Sequence, residues 1–277
     1  MLKQKLLPAA VATTLLAGAG LAQAQEEKLQ EAIVTGDSLV EGFQISGNVA
    51  LTTDYRFRGI SQSDESPAIQ GGFDAEFGPG FYVGVWGSSV DFDTNDNSED
   101  GDGNPIVPVE GYDGSLELDG YVGWATDIGD TDFGIDLTYY YYAYPGDDGP
   151  DGDYQEFHVK GSWRDLSLGV AYSDDYYAET DEFWYISGDY SFGLFSDMLT
   201  IDLHVGYNIL DDEGGFLAAD EDGKNEDGYT DYSVGVTYSW ASVDFTLAYV
   251  GTDLDDDDVF GTDWADDTAV FTISKSL

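Results

Sequence analysis

The chain has 277 residues, with 56 acidic against 9 basic side chains and no cysteine. A formal net charge of −47 excludes nucleic acid as a partner, because binding it requires a basic footprint. The missing cysteines exclude a disulfide framework, a thiol nucleophile and a thiolate metal site. A content of 15% aromatic residues argues against the disorder that such charge would otherwise suggest.

At the N-terminus Lys3 and Lys5 precede an apolar run from Leu6 to Leu21, which closes on Ala22-Gln23-Ala24. A basic start, an apolar middle and a small-x-small end make residues 1–24 a secretory signal peptide. A membrane anchor fits less well, since Pro8 and several Ala and Gly interrupt the run. No second apolar run is long enough for a spanning helix. Residues 25–42 show no periodicity and read as a periplasmic leader. Within them, Glu31-Ala-Ile-Val-Thr-Gly36 looks like the contact box of energised outer-membrane receptors, yet no room remains for their plug and larger barrel.

Strict alternation begins at Phe43 and runs to Arg58. Phe43, Ile45, Val49, Leu51, Tyr55 and Phe57 fall on one face; Gln44, Ser46, Asn48, Thr52, Asp54, Arg56 and Arg58 fall on the other. Strands of soluble proteins run about five or six residues, whereas a bilayer-crossing strand needs roughly 9–11. The pattern therefore predicts a strand with a lipid face and a lumen face. Further alternating runs follow at 69–77, 81–86, 116–124, 133–141, 155–163, 166–172, 184–190, 199–208, 232–240, 243–249 and 268–277. In the run 81–86 both faces are apolar enough to leave the inward side open. Short turns such as Gly78-Pro79-Gly80, Arg164-Asp165 and Ala241-Ser242 alternate with long acidic loops.

The expected fold is all-β: an antiparallel up-and-down transmembrane barrel of twelve strands over residues 43–277, with short periplasmic turns and long external loops. A propeller or β-helix would show a repeat, and there is none. A two-sheet sandwich explains the alternation but not apolar faces of lipid length flanked by Tyr and Trp.

The run Gly47-Asn-Val-Ala-Leu-Thr-Thr-Asp-Tyr-Arg-Phe-Arg-Gly-Ile-Ser-Gln-Ser63 continues through Pro67-Ala-Ile-Gln-Gly-Gly-Phe73 to Gly80-Phe-Tyr-Val-Gly-Val-Trp-Gly87. It resembles the N-terminal signature of the TorF porin family of proteobacteria, formerly a family of unknown function. The resemblance implies a pore in the outer membrane of a Gram-negative bacterium, in contact with lipid and lipopolysaccharide, and brings no substrate. Past about residue 90 it rests on strand layout and on the ending Ile273-Ser-Lys-Ser-Leu277. Barrels of this kind end in an aromatic residue read by the barrel-assembly machinery; here Leu277 takes that place, with Phe271 and Ile273 keeping the pattern.

Strand parity sorts the charges. The lumen face receives Asp54, Asp74, Glu76, Glu117, Asp119, Asp136, Glu156, Asp189, Asp202, Asp231 and Asp244, against Arg56, Arg58 and Lys160. Rings of acids favour cations, so the expected function is a channel for passive diffusion of small hydrophilic solutes or ions with a cation preference. Arg56 and Arg58, two apart, are expected at the outer end of the first strand, either as a constriction's transverse field or as structural ion pairs. The alternative is a non-conducting surface protein whose acidic loops bind divalent cations or envelope and host ligands. Asp100-Gly-Asp-Gly-Asn104 starts like a calcium loop, but Pro105 at position six and the lack of Glu at position twelve reject an EF-hand. No cofactor or discrete metal site is expected. His158 and His204 point inward on non-adjacent strands, which suits a lumen wall better than the outward triad of a barrel phospholipase or the rim site of an omptin protease, so no enzyme is expected.

Overall fold

The computed structural model describes residues 43–92, 114–146, 152–195, 198–211, 216–218 and 227–277. Residues 1–24, read as a signal peptide, residues 25–42, read as a leader, and the Asp100–Asn104 segment lie outside them. Twelve antiparallel strands close into a barrel: β1 (Phe43–Thr52), β4 (Ala68–Phe77), β5 (Phe81–Ser89), β6 (Leu116–Asp127), β7 (Phe133–Ala143), β8 (Tyr154–Trp163), β9 (Leu166–Ser173), β10 (Phe183–Leu194), β11 (Leu199–Leu210), β12 (Gly228–Trp240), β13 (Val243–Thr252) and β14 (Thr268–Ser276). Two short strands, β2 (Arg56–Phe57) and β3 (Ile60–Ser61), form a separate hairpin. Each barrel strand pairs with its sequence neighbour, and β1 closes the ring against β14 with Leu51 opposite Ile273.

Closure removes every free strand edge, which a bilayer demands because lipid supplies no hydrogen-bond partner. The outer wall carries Ile45, Phe73, Val85, Val122, Leu137, Val205, Val236 and Leu247, all exposed. In water such a belt would be an aggregation surface; in lipid it is the matching solvent. Aromatic residues rim it at the short-turn end (Phe77, Phe133, Trp163, Trp240) and at the long-loop end (Tyr141, Trp184, Tyr207, Tyr249). The two-residue turn at Ala241 and Ser242 has φ of 53° and 59°, the left-handed pair of a type I′ hairpin, although neither residue is glycine.

The first strand departs from expectation. It stops at Thr52 instead of running to Arg58, and residues 53–67 turn into the barrel. Arg58 (φ 49°) and Gly59 (φ 85°) are both left-handed, so Phe57-Arg58-Gly59-Ile60 reverses direction as the β2–β3 hairpin. Only glycine fits at 59, where an added Cβ would collide with Thr252 and approach the Gly251 carbonyl. Tyr55, assigned to the lipid face, is instead buried inside, and Phe57 packs beside Tyr142 within the barrel. Period-two spacing is blind to this: alternation persists through an inserted hairpin as it does through a wall strand.

In β5 the question left open by composition is settled inward for Tyr82 and Trp86, and outward for Phe81, Val83 and Val85. Rings lie over glycines on the facing strand. Tyr121 covers Gly84 and Tyr185 covers Gly206, where any side chain would strike the ring. These glycines make room for the bulky interior.

Candidate functional site

Asp54 organises the inserted segment. Its carboxylate accepts hydrogen bonds from Ser61 Oγ at 2.7 Å and Ser63 Oγ at 3.2 Å, and also pairs with Arg56 Nε. The Arg56 guanidinium then donates to the carbonyls of Trp264 (2.6 Å), Asp266 (3.0 Å) and Gly59 (3.1 Å), and to Glu65 Oε1 at 2.9 Å. The Trp264 and Asp266 carbonyls belong to the 253–267 connection, so Arg56 fastens the inserted segment to a second loop. Backbone bonds from Thr53 to Phe271, from Ser61 to Trp264 and from Asp91 to Gln62 complete the attachment. Burial pushes the Glu65 carboxyl up, against the opposing pull of Arg56.

Arg58 crosses to the far wall. Its two terminal nitrogens meet Glu156 Oε1 at 2.8 Å and Oε2 at 2.9 Å, a bidentate pair with both partners buried. The guanidinium carbon lies 4.5 Å from the ring centre of Tyr185 and 4.6 Å from those of Phe57 and Phe183, so the cation stands among aromatic faces. Burial works against the Arg58 charge, but the Glu156 carboxylate together with Tyr176 and Tyr142 outweighs it and raises the pKa. Burial also pushes the Tyr176 hydroxyl up to about 12, which keeps it neutral as an acceptor from Arg58 Nη1 at 3.2 Å. Arg56 and Arg58 thus occupy an inward loop and not the first strand, and both are ion-paired.

The remaining residues assigned to the lumen all lie on inward-facing strand positions. Asp74, Glu117, Asp119, Asp136, Glu156, Asp189, Asp202, His204 and Asp231 are buried; Glu76, His158, Lys160 and Asp244 are half-buried. The structure brings together several of them. His204 sits between Asp189 (Nδ1–Oδ1 2.7 Å) and Asp231 (Nε2–Oδ1 2.9 Å), and His158 Nε2 lies 2.7 Å from Glu156 Oε2. Lys160 stands opposite Asp136 in the β7–β8 register. Asp202 accepts from Ser191 Oγ at 2.6 Å, Asp244 pairs with Ser239 Oγ, and Glu76 stands opposite Gln44 and Tyr82 in the register.

Sequence reasoning missed the aromatic half of the interior. Tyr82, Trp86, Tyr121, Tyr140, Tyr142, Tyr144 and Tyr154 line one wall. Their rings follow one another, with Tyr82–Tyr121 at 6.4 Å, Tyr121–Tyr140 at 5.1 Å, Tyr140–Tyr142 at 5.9 Å and Tyr142–Tyr154 at 4.3 Å. Hydroxyls tie the track to acids: Tyr82 donates to Asp136 at 2.7 Å and Tyr121 to Asp74 at 2.5 Å. The signal was present in the alternation, since the polar-phase positions of β5 to β7 carry Tyr and Trp, which are apolar in body and polar at one tip.

A family described as bacterial protein of unknown function (Gcw_chp) matches residues 37–277, so the chain belongs to that family. No curated protein matches it in sequence. Among solved structures it is similar to the NanC porin, at 13% identity over 83% of this chain and 97% of that one, with a TM-score of 0.47. It is also similar to Pseudomonas aeruginosa OprD, at 11% identity over 87% of this chain and 67% of that one, TM-score 0.38. The Escherichia coli outer membrane phospholipase A aligns at 9% identity over 88% and 95%, TM-score 0.42. Likenesses this remote transfer neither solute nor chemistry.

Proposed function

For this member of the Gcw_chp family we propose a passive outer-membrane channel for small hydrophilic solutes that prefers cations and is narrowed by its own inward loop. One observation carries the reading: among the described residues each arginine and lysine of the interior faces an acid. Arg56 is matched by Asp54 and Glu65, Arg58 by Glu156, and Lys160 by Asp136. The acids left over, among them Asp74, Glu117, Asp119 and Asp202, set the sign of the field. A low-dielectric wall strengthens that field and salt weakens it. The lipid belt and aromatic rims support a seat in the outer membrane against lipid and lipopolysaccharide, after insertion by the barrel-assembly machinery.

The histidines support transport over catalysis. Among the described residues neither shares a hydrogen bond with a serine hydroxyl, and both face carboxylates inside the barrel. The test is single-channel recording of refolded protein across a KCl gradient. A reversal potential on the potassium side supports the channel and its acidic interior. Chloride preference overturns the cation reading. Absence of conductance favours the second reading, a closed surface barrel, for which the packing of the inserted loop against Tyr142 and Trp86 is the specific support.

A further inference from the structure

Glu117 and Asp119, two apart on β6, both turn inward and are each 2% exposed. Glu117 Oε1 accepts a hydrogen bond from Tyr55 OH at 3.3 Å, but Glu117 Oε2 and both oxygens of Asp119 have no partner. Directly opposite Asp119 on β5 stands Trp86, whose indole N–H is also unpartnered and whose side chain is buried. Buried carboxylate oxygens are normally hydrogen-bonded, and leaving one bare costs about 1–3 kcal/mol or more. The nearby arginines do not relieve the deficit, because Arg56 is held by Asp54 and Glu65 and Arg58 by Glu156.

We propose that Glu117 and Asp119 form a binding site for the primary ammonium group of an organic cation arriving from the long-loop end. Three bare acceptor oxygens match the three N–H donors of such a group. Aromatic side chains neighbour the acids: Tyr55, which donates to Glu117, meets Trp86 edge-on at 5.6 Å, and Trp86 and Tyr142 are the cross-strand neighbours of Asp119 on β5 and β7. A carbon-bearing cation gains from aromatic neighbours, whereas a small hydrated metal ion does not. The protein already uses the same chemistry close by, where the Arg58 guanidinium sits between Glu156 and the rings of Phe57, Phe183 and Tyr185. From the site, the tyrosine track runs down the wall to Asp74 and Asp136. The inference rests on the channel reading for the route by which the solute arrives.

The experiment is isothermal titration of the refolded protein in detergent with n-butylammonium chloride, tetramethylammonium chloride and potassium chloride, alongside single-channel recording. The expected result is saturable binding of n-butylammonium, at least tenfold tighter than tetramethylammonium, which has no N–H, and than potassium. The double variant Glu117→Gln/Asp119→Asn, with its barrel verified by heat-modifiable migration, is expected to lose that binding. If this variant does not fold, the ranking of the three cations on the unaltered protein decides. No saturable heat, equal binding of tetramethylammonium or potassium, or unchanged binding in the folded double variant each overturns the site. Binding without conductance would overturn the channel and keep the site; conductance without binding would overturn the site alone.

Discussion

Arg58 and Glu156 are 98 residues apart in sequence and meet inside the barrel through two parallel N–H···O contacts of 2.8 and 2.9 Å. The pair joins a loop that leaves the wall between β1 and β4 to a strand on the far side of the ring. It therefore spans the interior of the barrel.

Removing the guanidinium should loosen the tip of the inserted loop. Arg58→Ala is expected to conduct more than the unaltered protein in planar bilayers. Arg58→Lys should fall between the two, since an ammonium keeps the charge but not the two-pronged geometry. Equal conductance in all three would mean that Asp54 and Arg56 hold the loop by themselves. Glu156→Gln, which strands a buried cation, should lower stability in urea titration by about 3–5 kcal/mol.

Gly59 gives an independent route to the same state. Its φ of 85° and the nearness of Thr252 and the Gly251 carbonyl leave no place for a branched side chain. Gly59→Val should release the hairpin and expose the bonds after Arg56 and Arg58 to trypsin. Mass spectrometry of the digested, refolded protein should find both cuts in the variant and neither in the unaltered chain. Cutting at equal rates would show that the segment is not docked.

His204 ties three strands together, because Asp189 lies on β10 and Asp231 on β12 while the ring comes from β11. Both ring nitrogens can donate only when the ring carries both protons. His204→Leu leaves two buried carboxylates facing each other without a cation, with an expected loss of about 3–5 kcal/mol. Adding Asp189→Asn should recover part of that loss, so the double variant should be less destabilised than the sum of the singles. Additive losses would show that the two side chains do not interact.

Val122 lies midway along β6 on the lipid face, half-exposed and level with Val83 and Tyr139. Val122→Arg should cost about 2–4 kcal/mol of stability in a bilayer, as expected near the midplane. The measurement is equilibrium unfolding in lipid vesicles. A cost near zero would place Val122 at the interface and shift the belt along the strands.

Alternating polarity was enough to read the barrel. Twelve runs of alternating polarity, separated by short and long connections in turn, allow little else, since a one-residue slip would turn every apolar side chain from lipid to lumen. The same parity put Glu117, Asp136, Asp202 and His204 on the inner face, where they stand in the structure. Alternation could not show where the wall ends and an inserted segment begins, so Tyr55, Arg56 and Arg58 became legible only in three dimensions. Nor could it show that Arg58 meets Glu156 while Glu117 and Asp119 are left bare. Periodicity is a property of neighbours along a strand, whereas pairing inside a barrel depends on ring closure, which brings residues from distant strands across the same few ångströms.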